Sequence, residues 1–260
     1  MKRWLFVLPL LLLAVRVDAE PPTADDIAAR ANRAAYYAGD DSRATVHMTI
    51  TDRQGEKRQR QFVLLRRDAA DGGEQKYYLH LEQPADLRRM VLMVHKHLDR
   101  DDDRWLYLPA SSLVKRIAAG DERSGLAGSH LFYEDISGRS IYKDTHQLVQ
   151  ETDRFYLLKS TPKNPDKVEF SSYTVWIDKK TFLPVKSEYL DRDKRLYRRM
   201  EAMEIREIQG LPTVIRSRVE DVLSGGATVS EFSDIKYNIN LPDAIFTERA
   251  LRRPPRELRR

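Results

Sequence analysis

Residues Trp105–Asp135 read WLYLPASSLVKRIAAGDERSGLAGSHLFYED. A short aromatic strand ends at Pro109, a basic and apolar return strand follows, and a loop broken by glycines closes on two aromatics and two acids. The stretch predicts a strand, a return strand and a loop whose glycines give the backbone freedom that other residues lack.

The same reading extends in both directions. Thr23-Ala-Asp-Asp26 has the form of a capping box, with an acid three residues after the cap, and Ile27, Ala31, Ala34 and Ala38 recur at helical spacing until Gly39. The period then changes to two. Val46, Met48 and Ile50 alternate with His47, Thr49 and Thr51, and Gln54-Gly55 turns the chain into a strand over Arg60–Arg67. Further strands are predicted at Gln75–Glu82, Met90–His95, Arg104–Leu108, Leu113–Ile117, Gln147–Glu151, Phe155–Ser160, Val168–Ile177, Val185–Asp191, Lys194–Ile205, Thr213–Leu223 and Ala227–Asn238. So many consecutive strands with short turns imply one large curved antiparallel sheet, closed as a barrel or packed as a sandwich.

Several strands are apolar on both faces, among them Phe62–Leu65, Met90–Val94, Trp105–Leu108 and Phe155–Leu158. Two apolar faces need two covers. One clear helix and some loops are too little, so the second face either lines a cavity or packs beneath elements the pattern does not reveal, for instance from Ser124 to Ser137. Leu64, Leu92, Trp105 and Tyr107 are the candidate lining residues on these strands.

Taken together, Trp105-x-Tyr107-x-Pro109, Val114-x-Arg116-Ile117 and Gly128-Ser129-His130-Leu131-Phe132-Tyr133-Glu134-Asp135 resemble the LolA-like family of outer-membrane lipoprotein-sorting proteins. The resemblance runs from about Gln75 to Leu251, through Val175–Asp178, Leu183–Lys186 and Leu241-Pro242-Asp243, and departs at His130 and Leu131, where the family pattern has an acid and an aromatic. It implies a half-open LolA-like barrel with a few covering helices over an apolar cavity, a lipid- or lipoprotein-carrying role in the periplasm, no cofactor, and an RND-type exporter or outer-membrane acceptor as partner. Phe132 and Tyr133 either plug the mouth of such a fold or gate its cavity as lipid-binding residues. Gly128 and Ser129 are the candidate hinge, and Glu134 and Asp135 are expected to cap backbone N–H groups or pair with Arg139.

Lys2 and Arg3 precede an apolar run from Trp4 to Val15, and small residues at Val17 and Ala19 mark a cleavage site, so residues 1–19 read as a signal peptide. The run falls short of the roughly 20 residues of a membrane span. With no cysteine the chain has no acylation site there and no disulfide, so it is expected to be soluble in the periplasm. Residues 20–248 form one β domain, and residues 249–260 a basic tail expected to be a solvated end that an anionic membrane would attract. The net charge of +5 divides into +2 for the signal and +5 for the tail, leaving −2 for the body. That is not the footprint of a nucleic-acid binder.

Other chemistries find little support. His95 and His97 lie two apart on a strand, but a metal site needs a third ligand and none stands at a recognisable spacing. Asp99 and Asp101–Asp103 lack the glycine and glutamate of a calcium loop and read as solvated charges at a hairpin tip. No G-x-S-x-G elbow is present. The rivals to a carrier are a sensing module that binds lipid or lipoprotein and regulates a partner, and an envelope lipid hydrolase.

Overall fold

The computed structural model describes residues 21–70 and 72–259, so the expected signal peptide lies outside the described residues. The first element is helix α1 (Ala24–Tyr36), and the capping box at its start forms as the spacing predicts. The Asp26 backbone N–H donates to Thr23 Oγ1 at 3.1 Å and the Thr23 N–H donates back to the Asp26 carboxylate at 3.1 Å, which satisfies otherwise orphaned donors. At the other end the buried Arg66 guanidinium donates to the carbonyls of Ala38 and Gly39, each at 2.6 Å, and to that of Tyr36. A cation there complements the helix dipole as well as its free carbonyls.

Every strand predicted from the two-residue period is present. Before the long connection come β1 (Asp41–Thr51), β2 (Lys57–Asp68), β3 (Gln75–Gln83), β4 (Val91–Lys96), β5 (Asp103–Leu108) and β6 (Leu113–Ile117). After it come β7 (Asp144–Glu151), β8 (Phe155–Pro162), β9 (Phe170–Asp178), β10 (Pro184–Asp191), β11 (Leu196–Ile208), β12 (Leu211–Asp221) and β13 (Gly226–Tyr237). They form a single sheet in the order β6-β5-β4-β3-β2-β1-β13-β12-β11-β10-β9-β8-β7. Two meanders are thus joined at the centre by the first and last strands, with Val46 opposite Phe232.

This topology corrects the expected half-open barrel. Closure requires the edge strands to approach and share hydrogen bonds; here β6 and β7 stand at opposite ends of the order, and the sheet neither closes nor curls round on itself. The chain between them, residues 118–143, has instead to travel from one edge to the other. It does so across one face of the sheet, and that face is called the front here.

The crossover supplies one of the two missing covers. It includes helix α2 (Tyr133–Ser137), and its Leu126, Leu131, Tyr133 and Ile136 pack on a front-face core of Val46, Met48, Phe62, Tyr77, Leu79, Leu92 and Leu106. Toward the β7 edge, α1 takes over, setting Ile27, Ala28 and Ala31 on Leu158 and Ile177.

The back face is covered by the C-terminal segment, contrary to the expectation of a solvated tail. Ile245 and Phe246, then Ala250 and Leu251 of helix α3 (Glu248–Arg252), then Leu258, are buried against Val63, Leu65, Tyr78, Val91, Met93 and Tyr107. The Tyr78 hydroxyl donates to the Ala250 carbonyl at 2.8 Å, and Arg43 donates to that of Leu258 at 3.2 Å. Arg249, Arg252, Arg253 and Arg256 stay at the surface, where Arg252 lies 5.7 Å over the Tyr107 ring. Basic residues masked an apolar stripe.

Candidate functional site

Between the crossover and α1 the front face is incompletely filled. A cavity of about 280 Å3 opens there, floored by Val46, Phe62, Leu64, Val214, Phe232 and Tyr237 and roofed by Ala34, Ala35 and Tyr36 of α1 with Leu131 and Ile136 of the crossover. Alanines on the inward side of α1 leave the space that larger residues would occupy. A second hollow of about 250 Å3 adjoins it over β10–β12 and shares Ala35, Tyr36, Asp135, Pro184 and Val214. The first is close to the lower end of the ~300–1,000 Å3 typical of ligand clefts.

The charged residues in its wall are already engaged. Arg66 is spent on the carbonyls at the end of α1, and Asp135 pairs with Arg198 at 2.5 Å. Thr213 and Tyr237 hydrogen-bond to each other at 2.9 Å. What remains for a ligand is an apolar surface, which favours hydrocarbon and offers no nucleophile with an adjacent base.

The roof is held by buried ion pairs rooted in the Phe132–Asp135 motif. Asp135 accepts the Phe132 N–H at 2.6 Å, capping α2, while Glu134 pairs with Arg123 and, at 3.1 Å, with Arg139. Both capping and the Arg139 pair are as the sequence predicts. Arg123 also meets Glu169 at 2.7 Å, and Arg139 meets Asp144 of β7 at 2.9 Å. Glu122 meets Arg104 of β5 at 3.0 Å. The crossover is therefore tied to β5 on one side of the sheet, to β11 through Arg198, and to the β7 edge.

Burial alone would raise the Glu134 carboxyl, but Arg123 and Arg139 outweigh it and hold it below the ordinary range. Burial and then the Glu134 charge raise Glu122 instead, against Lys143 and Arg104.

The predicted site residues separate. Leu64 lines the cavity. Leu92 is fully buried in the front core, while Tyr107 and Trp105 face the back under the C-terminal segment, Trp105 edge-on to His95 at 5.0 Å. Phe132 is held between two guanidiniums, 4.3 Å from that of Arg198 and 4.8 Å from that of Arg123, and Tyr133 packs on the front core. Gly128 has φ +73°, so a β-branched residue there would be strained although a Cβ would meet nothing nearer than Arg58 Nη1 at 3.7 Å. Ser129 Oγ accepts the Leu131 N–H at 3.2 Å.

His130, one of the two departures from the family pattern, staples the crossover to β13. Its backbone N–H donates to Thr228 Oγ1 at 3.1 Å and its ring Nδ1 lies 2.9 Å from the same oxygen. Gly226 makes room for the ring, because a Cβ there would stand 2.4 Å from His130 Nε2. Leu131, the other departure, roofs the cavity.

His95 and His97 do not converge. His95 Nε2 lies 2.9 Å from the Phe246 carbonyl, and His97 lies between Glu74 and Asp103 at 2.6 and 3.1 Å. Among the described residues no cluster of three His, Asp or Glu side chains could hold a metal ion. Asp102 is not the solvated charge expected, since it pairs with buried Arg104 at 2.7 Å.

The fold has solved counterparts. A DUF1329 family protein from Desulfovibrio piger matches with 29% identity and a TM-score of 0.80, over 89% of this chain and 100% of that one. A putative outer membrane lipoprotein-sorting protein domain from Vibrio parahaemolyticus matches with 26% identity and a TM-score of 0.78, over 88% and 97%. A LolA superfamily protein from Nitrosomonas europaea, 22% identical, has the same fold with a TM-score of 0.69 over 88% and 99%. No curated protein matches the sequence. The LolA-like assignment holds at the level of this LolA/DUF1329-like fold, which is typical of periplasmic proteins. A family model described as that of an uncharacterized protein matches residues 73–253, and the chain belongs to that family.

Proposed function

We propose that the protein is a carrier that shields the acyl chains of a lipid or lipoprotein in the front-face cavity and passes them to an acceptor in the envelope. The observation that carries this reading is the cavity itself, an apolar hollow beneath a roof of alanines, Leu131 and Ile136, with its charged wall residues already partnered. The second hollow extends the space along β10–β12.

The need for such a device is easily sized. At about 0.8 kcal/mol per buried CH2, a sixteen-carbon chain costs on the order of 12 kcal/mol to expose to water. Unassisted passage between membranes is correspondingly slow. A carrier has to offer a comparable apolar surface and then release the chain to a site that binds it better. A signal peptide over residues 1–19 and the absence of cysteine fit a soluble periplasmic form, and the likeness to a putative outer membrane lipoprotein-sorting protein supports an outer-membrane acceptor, with an RND-type exporter as the alternative that the LolA-like motifs imply.

Solvent extraction of the exported protein followed by mass spectrometry is expected to release an acyl-bearing lipid. Absence of lipid, both as purified and after incubation with lipoprotein or phospholipid, would sink the proposal.

A further inference from the structure

Alternate residues of a strand share a face, so the front face of β2 reads Leu64, Phe62, Arg60, Arg58 from the cavity outward. The pairing with β1 is regular throughout, with Ala44 opposite Leu64, Met48 opposite Arg60 and Ile50 opposite Arg58. Apolar floor thus passes directly into two guanidiniums. Arg60 lies roughly 7 Å along the strand from Phe62, at about 3.3 Å per residue.

Both arginines stand beside the crossover loop. Arg60 Nε donates to the Ala127 carbonyl at 3.2 Å, and Arg58 Nη1 lies 3.7 Å from where a Gly128 Cβ would be. Among the described residues no hydrogen bond or ion pair holds the exposed Arg58. Desolvation and then the adjacent charge of Arg58 pull Arg60 below its usual range, against the single opposing influence of Asp86. Asp52, in the turn between β1 and β2, is engaged there, its Oδ1 accepting the N–H groups of Gln54 and Glu56 at 3.0 and 2.9 Å. Two like charges side by side, on the strand face that also floors the cavity, are an arrangement that an anion relieves.

We propose that Arg58 and Arg60 receive the phosphate head group of an amphiphile whose acyl chain lies in the cavity, an assignment that rests on the carrier reading above. Guanidinium and phosphate match in geometry through parallel charge-assisted hydrogen bonds. A phosphate monoester, carrying about −1.5 to −2 charge at neutral pH, suits a pair of arginines better than a carboxylate does.

The test compares binding of lysophosphatidic acid and of the monoacylglycerol of equal chain length to the delipidated mature protein at low salt. Wild type is expected to bind the phosphate-bearing lipid about tenfold more tightly, a preference that shrinks as salt screens it. Arg58→Gln, which gives up no hydrogen bond within the protein, is expected to cut that preference by at least about threefold, with monoacylglycerol affinity unchanged. Arg58→Gln with Arg60→Gln should abolish it, provided the melting curve shows the double variant still folded. Equal affinity of wild type for the two lipids, or an undiminished preference in Arg58→Gln, would overturn the head-group assignment. If inorganic phosphate alone binds as tightly as lysophosphatidic acid, the arginines form a free-anion site and the lipid assignment fails. Failure of both amphiphiles to bind would count against the carrier reading itself.

Discussion

Glu134→Ala is expected to lower the free energy of unfolding by about 3 kcal/mol, toward the lower end of what breaking a buried ion pair costs. Glu134 is only 2% exposed and lies between Arg123 and Arg139, so alanine leaves both guanidiniums facing an apolar gap. The loss stays near the lower end because each arginine keeps a second carboxylate, Glu169 for Arg123 and Asp144 for Arg139. Urea denaturation at neutral pH measures it. The pH dependence has a definite sign. The folded carboxyl titrates below its unfolded value, so its contribution is present above the unfolded range and is lost as pH falls through the folded one. The difference between wild type and Glu134→Ala should therefore shrink in acid. A cost under about 0.5 kcal/mol at neutral pH, the size of an ordinary surface substitution, would show that these pairs do not hold the roof.

Leu92→Asp is expected to cost more, above about 4 kcal/mol, enough to unfold much of a domain of ordinary stability. Leu92 is fully buried in the front core, opposite Leu79 on β3 and Leu106 on β5, with no cation among those neighbours to pair with a carboxylate. Far-UV circular dichroism and gel filtration of the purified variant are the measurements. A folded, monodisperse Leu92→Asp protein would place Leu92 at a solvated or ligand-facing wall instead of in the core.

These two residues also mark how far the sequence can be read. The strands were legible because the two-residue period of segments such as Val46-x-Met48-x-Ile50 is a local property, and so was the Thr23–Asp26 cap. Which face of a two-sided strand is core and which is cavity is not local. Leu64 and Leu92 look alike in sequence, and only the path of residues 118–143 across the sheet separates them, placing Leu92 beneath packed side chains and Leu64 beneath the gap before α1. That path follows from β6 and β7 being opposite edges, a fact of topology that no periodicity encodes. The C-terminal cover was hidden for another reason. Frequent arginines make residues 249–260 read as solvated, yet Leu251 and Leu258 need only one side of a short helix or turn to reach the back core. The acids at Glu134 and Asp135 were readable in role, and so was Arg139 five residues on, but their further partners Arg123 and, on β11, Arg198 lie at distances in sequence that no motif spans.

On the carrier reading, the cavity holds acyl chains in transit. Ala44 lines it directly opposite Leu64, so Ala44→Trp fills the space while costing the fold about 1–3 kcal/mol for overpacking. The decisive measurement is transfer of a labelled acyl lipid from donor to acceptor vesicles by wild type and by Ala44→Trp, with folding of both verified by circular dichroism. The cavity account predicts saturable transfer by wild type and at least about a tenfold loss in the folded variant, the equivalent of some 1.4 kcal/mol of binding. Transfer by a folded Ala44→Trp protein at the wild-type rate would contradict it.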